Sequence, residues 1–324
     1  MLSEILAKLP VRAVPKELLV GIESSDDAAV YKLNDEQAIV ATTDFFSPIV
    51  DDPFDFGRIA ATNAISDIYA MGGTPIFALA LVGFPVDKLP AEIVQQILAG
   101  GESVCAEAGI PIAGGHSIDT LEPIYGLVAL GLVHPKKVKR NNQAQPGDKL
   151  VLGKPLGVGV LSAALKKGNL SPEGYAAMIA STTKLNRPGT RLAEMQGVHA
   201  LTDVTGFGLI GHASEIARGS KLNITIELAE LPVLEAARAH LEAGVKTGAS
   251  SRNWEEYAKH VTVPANFQPW QQTLLTDPQT SGGLLVACAP ETVDQVIAEF
   301  RRDGFDAACV IGSLAAGPVG ITVV

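Results

Sequence analysis

Short apolar runs and helical stripes follow one another along this chain without a regular strand–helix–strand rhythm. That irregularity limits the fold more than any other feature. Leu2, Ile5, Leu6 and Leu9 recur at helical spacing, so the chain is expected to open on an amphipathic helix. Residues 28–31 and 38–41 read as strands, and Asp52-Pro53 then starts a helix that Gly72-Gly73 stops. A strand at 76–82 precedes a helix marked by Ile93, Ile97, Val104 and Ala108, with Gly100-Gly101 as its weak point, and a strand at 124–133 follows. Strands are expected again at 150–152, 222–228, 284–287 and 308–311, with a helical stripe on Val293, Val296, Ile297 and Phe300. A Rossmann sheet needs strict βαβ alternation, so this order points to two α+β domains, spanning 1–147 and 148–324. Between them lies a polar stretch, 134–148, in which Lys136, Lys137, Lys139 and Arg140 read as a solvated connecting face.

Composition narrows the function classes. With 324 residues, 47% hydrophobic and 19% charged, the chain carries ample material for a core, which excludes a disordered protein. A net charge of −10 excludes a general nucleic-acid surface, because phosphate contact needs surplus Lys and Arg. Cys105, Cys288 and Cys309 are far apart and lie in apolar or small-residue runs, so they read as buried core thiols and not as a zinc site or disulfide framework. The first ten residues lack the basic start and long apolar stretch of a signal peptide. The longest apolar run, 75–84, is about half what a membrane span needs. The expectation is a cytoplasmic protein with neither a membrane nor a nucleic acid as partner.

The chain has no glycine–lysine phosphate loop of the Walker type, and its one GxGxxG, Gly206 to Gly211, has no apolar strand leading into it, since Thr202, Asp203 and Thr205 interrupt the approach. Aspartates set among small and polar residues at element edges stand out instead. Ser24-Ser25-Asp26-Asp27 precedes a strand, and Thr42-Thr43-Asp44 ends one. Asn63 and Asp67 share one face of an otherwise apolar helix. Gly114-Gly115-His116-Ser117 reads as a glycine loop, equally suited to an anion nest or to a plain tight turn. Asp203-Val204-Thr205-Gly206 runs towards a helix, and Asp277-Pro278-Gln279-Thr280-Ser281-Gly282-Gly283 precedes a strand. Singly, each fits ordinary turn chemistry. Together they supply hard oxygen and N–H groups, matched to Mg²⁺ and phosphate and not to zinc or copper. A polyphosphate neutralised by more than one Mg²⁺ explains several carboxylates in an acidic protein.

Three strings carry a resemblance. Thr42-Thr43-Asp44-Phe45-Phe46, the run from Asp52 through Asn63-Ala64-Ile65-Ser66 to Asp67, and Asp277 through Gly283 are similar to selenophosphate synthetases, also called selenide, water dikinases, over essentially the whole chain. The wider superfamily includes aminoimidazole ribonucleotide synthetase, thiamine monophosphate kinase and a hydrogenase maturation protein. The resemblance implies a two-domain aminoimidazole ribonucleotide synthetase-like fold, with an N-terminal sheet domain that pairs across a homodimer and a C-terminal α/β sandwich domain. It implies that ATP, selenide and water give selenophosphate, AMP and phosphate with Mg²⁺. Carried over by motif, Asp27, Asp67 and Asp203 would be Mg²⁺ ligands. Ser24, Ser25, Asp26, Asp44 and Asp67 would contact the nucleotide or its metals, and Gly115, His116 and Ser117 would reach ATP across the dimer. Asn63 would support Asp67 without being a ligand. Ser24 stands where the family usually has Thr.

Family members also carry a glycine-rich arm with a Cys or selenocysteine and a Lys before the first helix. Here Met1 falls within that helix, no Cys precedes Cys105 and the first lysine is Lys8. The expectation is therefore a chain without that catalytic pair, as if trimmed at its start, that binds Mg–ATP and turns over poorly. Two other readings stand beside it: another kinase or synthetase of the superfamily, and a non-catalytic ATP-binding homologue.

Overall fold

The computed structural model describes residues 14–21 and 26–324. The opening helix expected on Leu2 to Leu9 lies outside the described residues. Two sheets organise the rest. The first is built from β1 (Leu18–Val20), β2 (Ala29–Lys32), β3 (Ala38–Phe46), β4 (Thr74–Phe84), β5 (Ile112–Asp119) and β6 (Ile124–Val133). Its spatial order is β1-β2-β3-β6-β4-β5, antiparallel except for the β4–β5 pair. The second holds β7 (Lys149–Leu152), β8 (Val198–Asp203), β9 (Asn223–Ile226), β10 (Val261–Thr262), β11 (Leu284–Cys288), β12 (Cys309–Ala315) and β13 (Gly320–Val323), in the order β10-β13-β9-β12-β7-β11-β8. This is the α+β architecture expected.

The helix α1 (Pro53–Ala70) joins the two sheets, packing on β3 and β6 of the first and reaching β8 of the second. Its start is strongly specified. Asp52 accepts the Asp55 N–H at 2.8 Å, Pro53 sits where no N–H is needed, and Asp55 faces the positive end of the helix dipole. Its end is equally clear, because Gly72 takes a left-handed φ of 76° and the Gly73 N–H returns to the Ile68 carbonyl. From Phe56 to Ala70 all but Arg58 are buried, so this helix has no solvent face of any length.

Next to it runs α2 (Ala91–Ala108), unbroken through Gly100-Gly101. Those glycines are contact points and not a weakness. A Cβ on Gly100 would lie 2.0 Å from the Phe54 carbonyl oxygen, and one on Gly57 would lie 1.9 Å from that of Ile97, so the two helix backbones touch.

Three further expectations are corrected. The third strand does not stop before Thr42; it continues through Asp44 to Phe46, because its ladder with β6 runs from Ala38↔Val133 to Phe46↔Tyr125 whatever the side chains are. Residues 114–117 are not a loop but part of β5, held in parallel register with Ala80 to Val82. A Cβ on Gly115 would meet the Ala80 carbonyl oxygen at 2.0 Å, so the glycine there serves close strand approach. The connection 134–148 is packed and not merely solvated: Val138, Asn141 and Ala144 are buried, Lys137 pairs with Glu194, and Lys139 donates to the carbonyls of Met195 and Val198. Among the thiols, Cys105 and Cys288 are buried as expected, whereas Cys309 keeps partial exposure.

The second sheet is covered by α3 (Val158–Lys166), α4 (Pro172–Thr182), α5 (Pro188–Leu192), α6 (Gly208–Ser220), α7 (Glu235–Glu242), α8 (Gly248–Tyr257), α9 (Pro269–Thr276) and α10 (Val293–Arg302). The stripe on Val293, Val296, Ile297 and Phe300 is the inner face of α10, with Val296 and Phe300 fully buried. Among the described residues no helix is long and apolar enough to cross a membrane.

Candidate active site

Each sheet contributes carboxylates to one place. Asp27 stands just before β2, Asp44 lies within β3, Asp67 in the last turns of α1, and Asp203 closes β8. Asp67 and Asp203 are 7% and 1% exposed, burial that a carboxylate tolerates only with donors or a cation. Hydroxyls supply some of that. Thr42 Oγ1 donates to Asp67 Oδ2 at 2.5 Å, Thr202 Oγ1 donates to Asp27 Oδ1 at 2.6 Å, and Ser66 Oγ donates to Asp203 Oδ2.

The charges are close enough to disturb each other. Burial, then the charge of Asp203, raises the Asp27 and Asp67 carboxyls well above the usual range, and Asp44 and Asp27 add to the effect at Asp67. Asp44 is lifted to about 6 by burial and by Asp203. Asp203 is raised by burial, against the Ser66 hydrogen bond and the charges of His212 and Lys154. The four aspartates are thus one electrostatic unit, short of positive charge.

Asp27 Oδ2 is out of solvent and finds no hydrogen-bond partner among the described residues. An orphaned carboxylate oxygen inside a mutually repelling set is what a hard cation relieves, so the residues present fit Mg²⁺. Among the described residues no three His, Cys, Asp or Glu side chains gather into a ready-made metal cage. Mg²⁺ seldom uses such cages; one or two carboxylates and substrate phosphates are its usual partners.

The remaining residues singled out in the sequence fall in different places. Ser24 and Ser25 lie outside the described residues. The Asp26 carboxylate accepts the Asn141 N–H at 2.7 Å and so faces the connecting segment. Gly115, His116 and Ser117 are exposed on β5, separated from β3 by β6 and β4. Asn63 holds Asp44 and not Asp67: its Nδ2 donates to Asp44 Oδ2 at 2.6 Å, and its Oδ1 accepts the Ser281 N–H at 2.7 Å. One helical turn separates Asn63 from Asp67, and both face β3, but they meet different residues of it: Asp67 accepts from Thr42 and Asn63 donates to Asp44.

Sequence reasoning missed several participants. Ser66 and Thr202 were visible inside the motifs, beside an aspartate each, but nothing in the string shows which carboxylate they reach. Asn186 and Lys154 gave no signal at all, although the Lys154 ammonium is 2% exposed and pushed down to about 7 by burial. The strand judged missing before Gly206 is β8 itself; Thr202 and Asp203 belong to it, and α6 follows the glycines.

Comparison with known proteins identifies the fold and the family. Residues 25–133 match the model of the AIR synthase related protein N-terminal domain, and residues 145–324 match that of its C-terminal domain. The solved structure of thiamine-monophosphate kinase from Stenotrophomonas maltophilia superposes with a TM-score of 0.67 at 20% identity, over 95% of this chain and 91% of that one. A hydrogenase maturation protein HypE gives a TM-score of 0.70 at 19% identity, over 95% and 91%. At such identities these two establish the fold alone. Sequence relatives lie much nearer. The selenide, water dikinase of Burkholderia ambifaria is 66% identical across all of this chain and 91% of its own length. That of Paraburkholderia xenovorans is 64% identical over 99% and 92%. An assignment to the thiamine phosphate kinases is correspondingly disfavoured, and the chain belongs to the selenide, water dikinase family.

Proposed function

We infer that this chain makes selenophosphate: ATP, selenide and water are converted to selenophosphate, AMP and phosphate. The observation that carries the reading is the convergence of Asp27, Asp44, Asp67 and Asp203 from both sheets onto one cation-deficient place, in a chain of this family. Asp27, Asp67 and Asp203 are the proposed Mg²⁺ ligands, and Asp44 with Asp67 lies on the nucleotide side. Mg²⁺ bound there supplies charge neutralisation to the phosphates. The protein's part is positioning. Thr42, Thr202 and Ser66 each donate to one carboxylate oxygen, which leaves the other free to turn to a metal. Ser24, Ser25 and Asp26 are proposed to line the same nucleotide.

The functional unit is proposed to be a homodimer joined through the first sheet. Its outer strand β5 is exposed from Ala113 to Asp119, with Ile118 49% exposed and Leu121 just beyond it at 86%. Such an edge calls for cover. Gly115, His116 and Ser117 on that edge are proposed to reach the partner subunit's nucleotide. The domain division at 147/148 is supported by the gap between β6, ending at Val133, and β7, starting at Lys149. Three unpaired thiols suit a reducing cytoplasm.

Calorimetric titration with ADP and Mg²⁺ tests the site. Asp67→Ala is expected to weaken binding at least about tenfold, the loss of roughly one charge-assisted contact. Equal affinity for both proteins would remove the site assignment, and phosphorylation of thiamine monophosphate with no selenide-dependent AMP formation would remove the reaction.

A further inference from the structure

The segment 277–283 supplies none of the proposed ligands, yet it is among the most completely anchored parts of the molecule. It leaves α9, passes the start of α3 and enters β11. Asp277 Oδ2 accepts the N–H groups of Gly159 and Val160 at 3.0 and 3.3 Å. Gln279 Oε1 accepts those of Gly157 and Val158 at 3.1 and 3.2 Å. Two side chains thus satisfy the open donors at the head of α3 and fix the segment against it.

Ser281 then takes a left-handed φ of 52°, a conformation that a non-glycine residue keeps only when its surroundings over-determine it. Lys154 provides that constraint. Its buried ammonium donates to the Ser281 carbonyl at 2.8 Å and to the Lys184 carbonyl at 2.7 Å. Two chains of hydrogen bonds lead from the clamped turn to the carboxylates. The Ser281 N–H holds Asn63 Oδ1 at 2.7 Å, and Asn63 Nδ2 holds Asp44 at 2.6 Å. The Gly282 carbonyl accepts from Asn186 Nδ2 at 2.8 Å, which also donates to Ser66 Oγ at 2.7 Å, and Ser66 holds Asp203.

We propose that Lys154 and the Ser281–Gly282 turn are the positioning element of this site, setting Asp44 through Asn63 and Asp203 through Asn186 and Ser66. A buried ammonium is an expensive way to hold a turn, since an apolar side chain of similar volume is often neutral or better for stability alone. Here the ammonium also brings its charge towards Asp203, one member of the carboxylate cluster. Lys154 touches no proposed ligand in a hydrogen bond and acts through others, so it is a positioning residue.

The inference rests on the magnesium–nucleotide reading above, and the test separates the two. Mg–ADP affinity is measured by calorimetry for the wild-type protein and for Lys154→Met, Asn63→Ala, Asn186→Ala and the Lys154→Met/Asn63→Ala double variant, each checked for folding by circular dichroism. Each single change is expected to weaken binding at least tenfold. The double variant is expected to lie within about twofold of the weaker single variant, since both changes cut one path. A merely structural lysine would lower the melting temperature and leave the affinity of the folded fraction intact. Multiplicative losses in the double variant, or wild-type affinity in folded Lys154→Met, overturns the proposal. Should Lys154→Met not fold, Asn63→Ala and Asn186→Ala decide it, and wild-type affinity in both overturns it. A wild-type protein that binds no Mg–ADP removes the nucleotide reading, and the positioning role with it.

Discussion

Replacing Asp44 by asparagine should make the ligand-free protein more stable while damaging nucleotide binding. Burial and the Asp203 charge lift the Asp44 carboxyl from its ordinary 3.8 to about 6. A carboxyl raised by folding favours the folded state when protonated. Its contribution is therefore complete below pH 3.8 and is lost as pH rises through about 6. At pH 7 the folded chain holds a charge that the unfolded chain holds more cheaply, by about 3 kcal/mol for a displacement of roughly two pH units. Asp44 retains partial exposure, which screens the effect, so a working figure is about 1–2 kcal/mol. Asparagine keeps the shape and an oxygen to accept from Asn63. Urea unfolding in EDTA should show Asp44→Asn more stable by about 1–2 kcal/mol at pH 7, and by about half of that at pH 5. Calorimetry on the same variant should show Mg–ADP binding weakened at least about tenfold. A variant less stable than wild type at pH 7, or a gain that is the same at both pH values, would refute the electrostatic account of the cluster.

Two other consequences follow from the packing. Gly100→Ala gains helix propensity but drives a methyl group into the Phe54 carbonyl, so urea unfolding should show a net loss of about 1–3 kcal/mol; an unchanged midpoint would mean that the α1–α2 contact is looser than described. Ile118→Lys places a charge on the exposed edge strand, so sedimentation should show the proposed dimer fall towards the monomer mass with secondary structure retained; an unaltered mass would remove this edge from the proposed interface.

The family resemblance and the aspartate motifs are local in sequence, and local signals were readable. The helix from Asp52 to Gly72 declares itself through an N-cap, a proline and a glycine stop, all within hydrogen-bond reach of their own helix. The strands at 124–133 and 284–287 declare themselves through apolar runs. Where polar residues belong to a strand, the string misleads: Thr42 to Asp44 looked like a strand end and lie inside β3, and Thr202-Asp203 looked like an interruption and are the last two residues of β8. Residues 114–117 misled for the opposite reason, since glycines suggest a loop, but only the neighbouring Ala80 backbone shows that a strand needs them.

By itself, then, the sequence determined the α+β class and the family, and it singled out the carboxylates proposed here for magnesium and phosphate. Which groups hold those carboxylates was decided by tertiary structure alone. Asn63 is four residues from Asp67 yet binds Asp44, 19 positions away, while Ser66 reaches Asp203 across 137. Hydrogen bonds of this kind form between whichever donors and acceptors the two sheets bring together around α1. No spacing along the chain encodes that meeting, and so the buried Lys154 beneath Ser281 left no trace in the linear pattern.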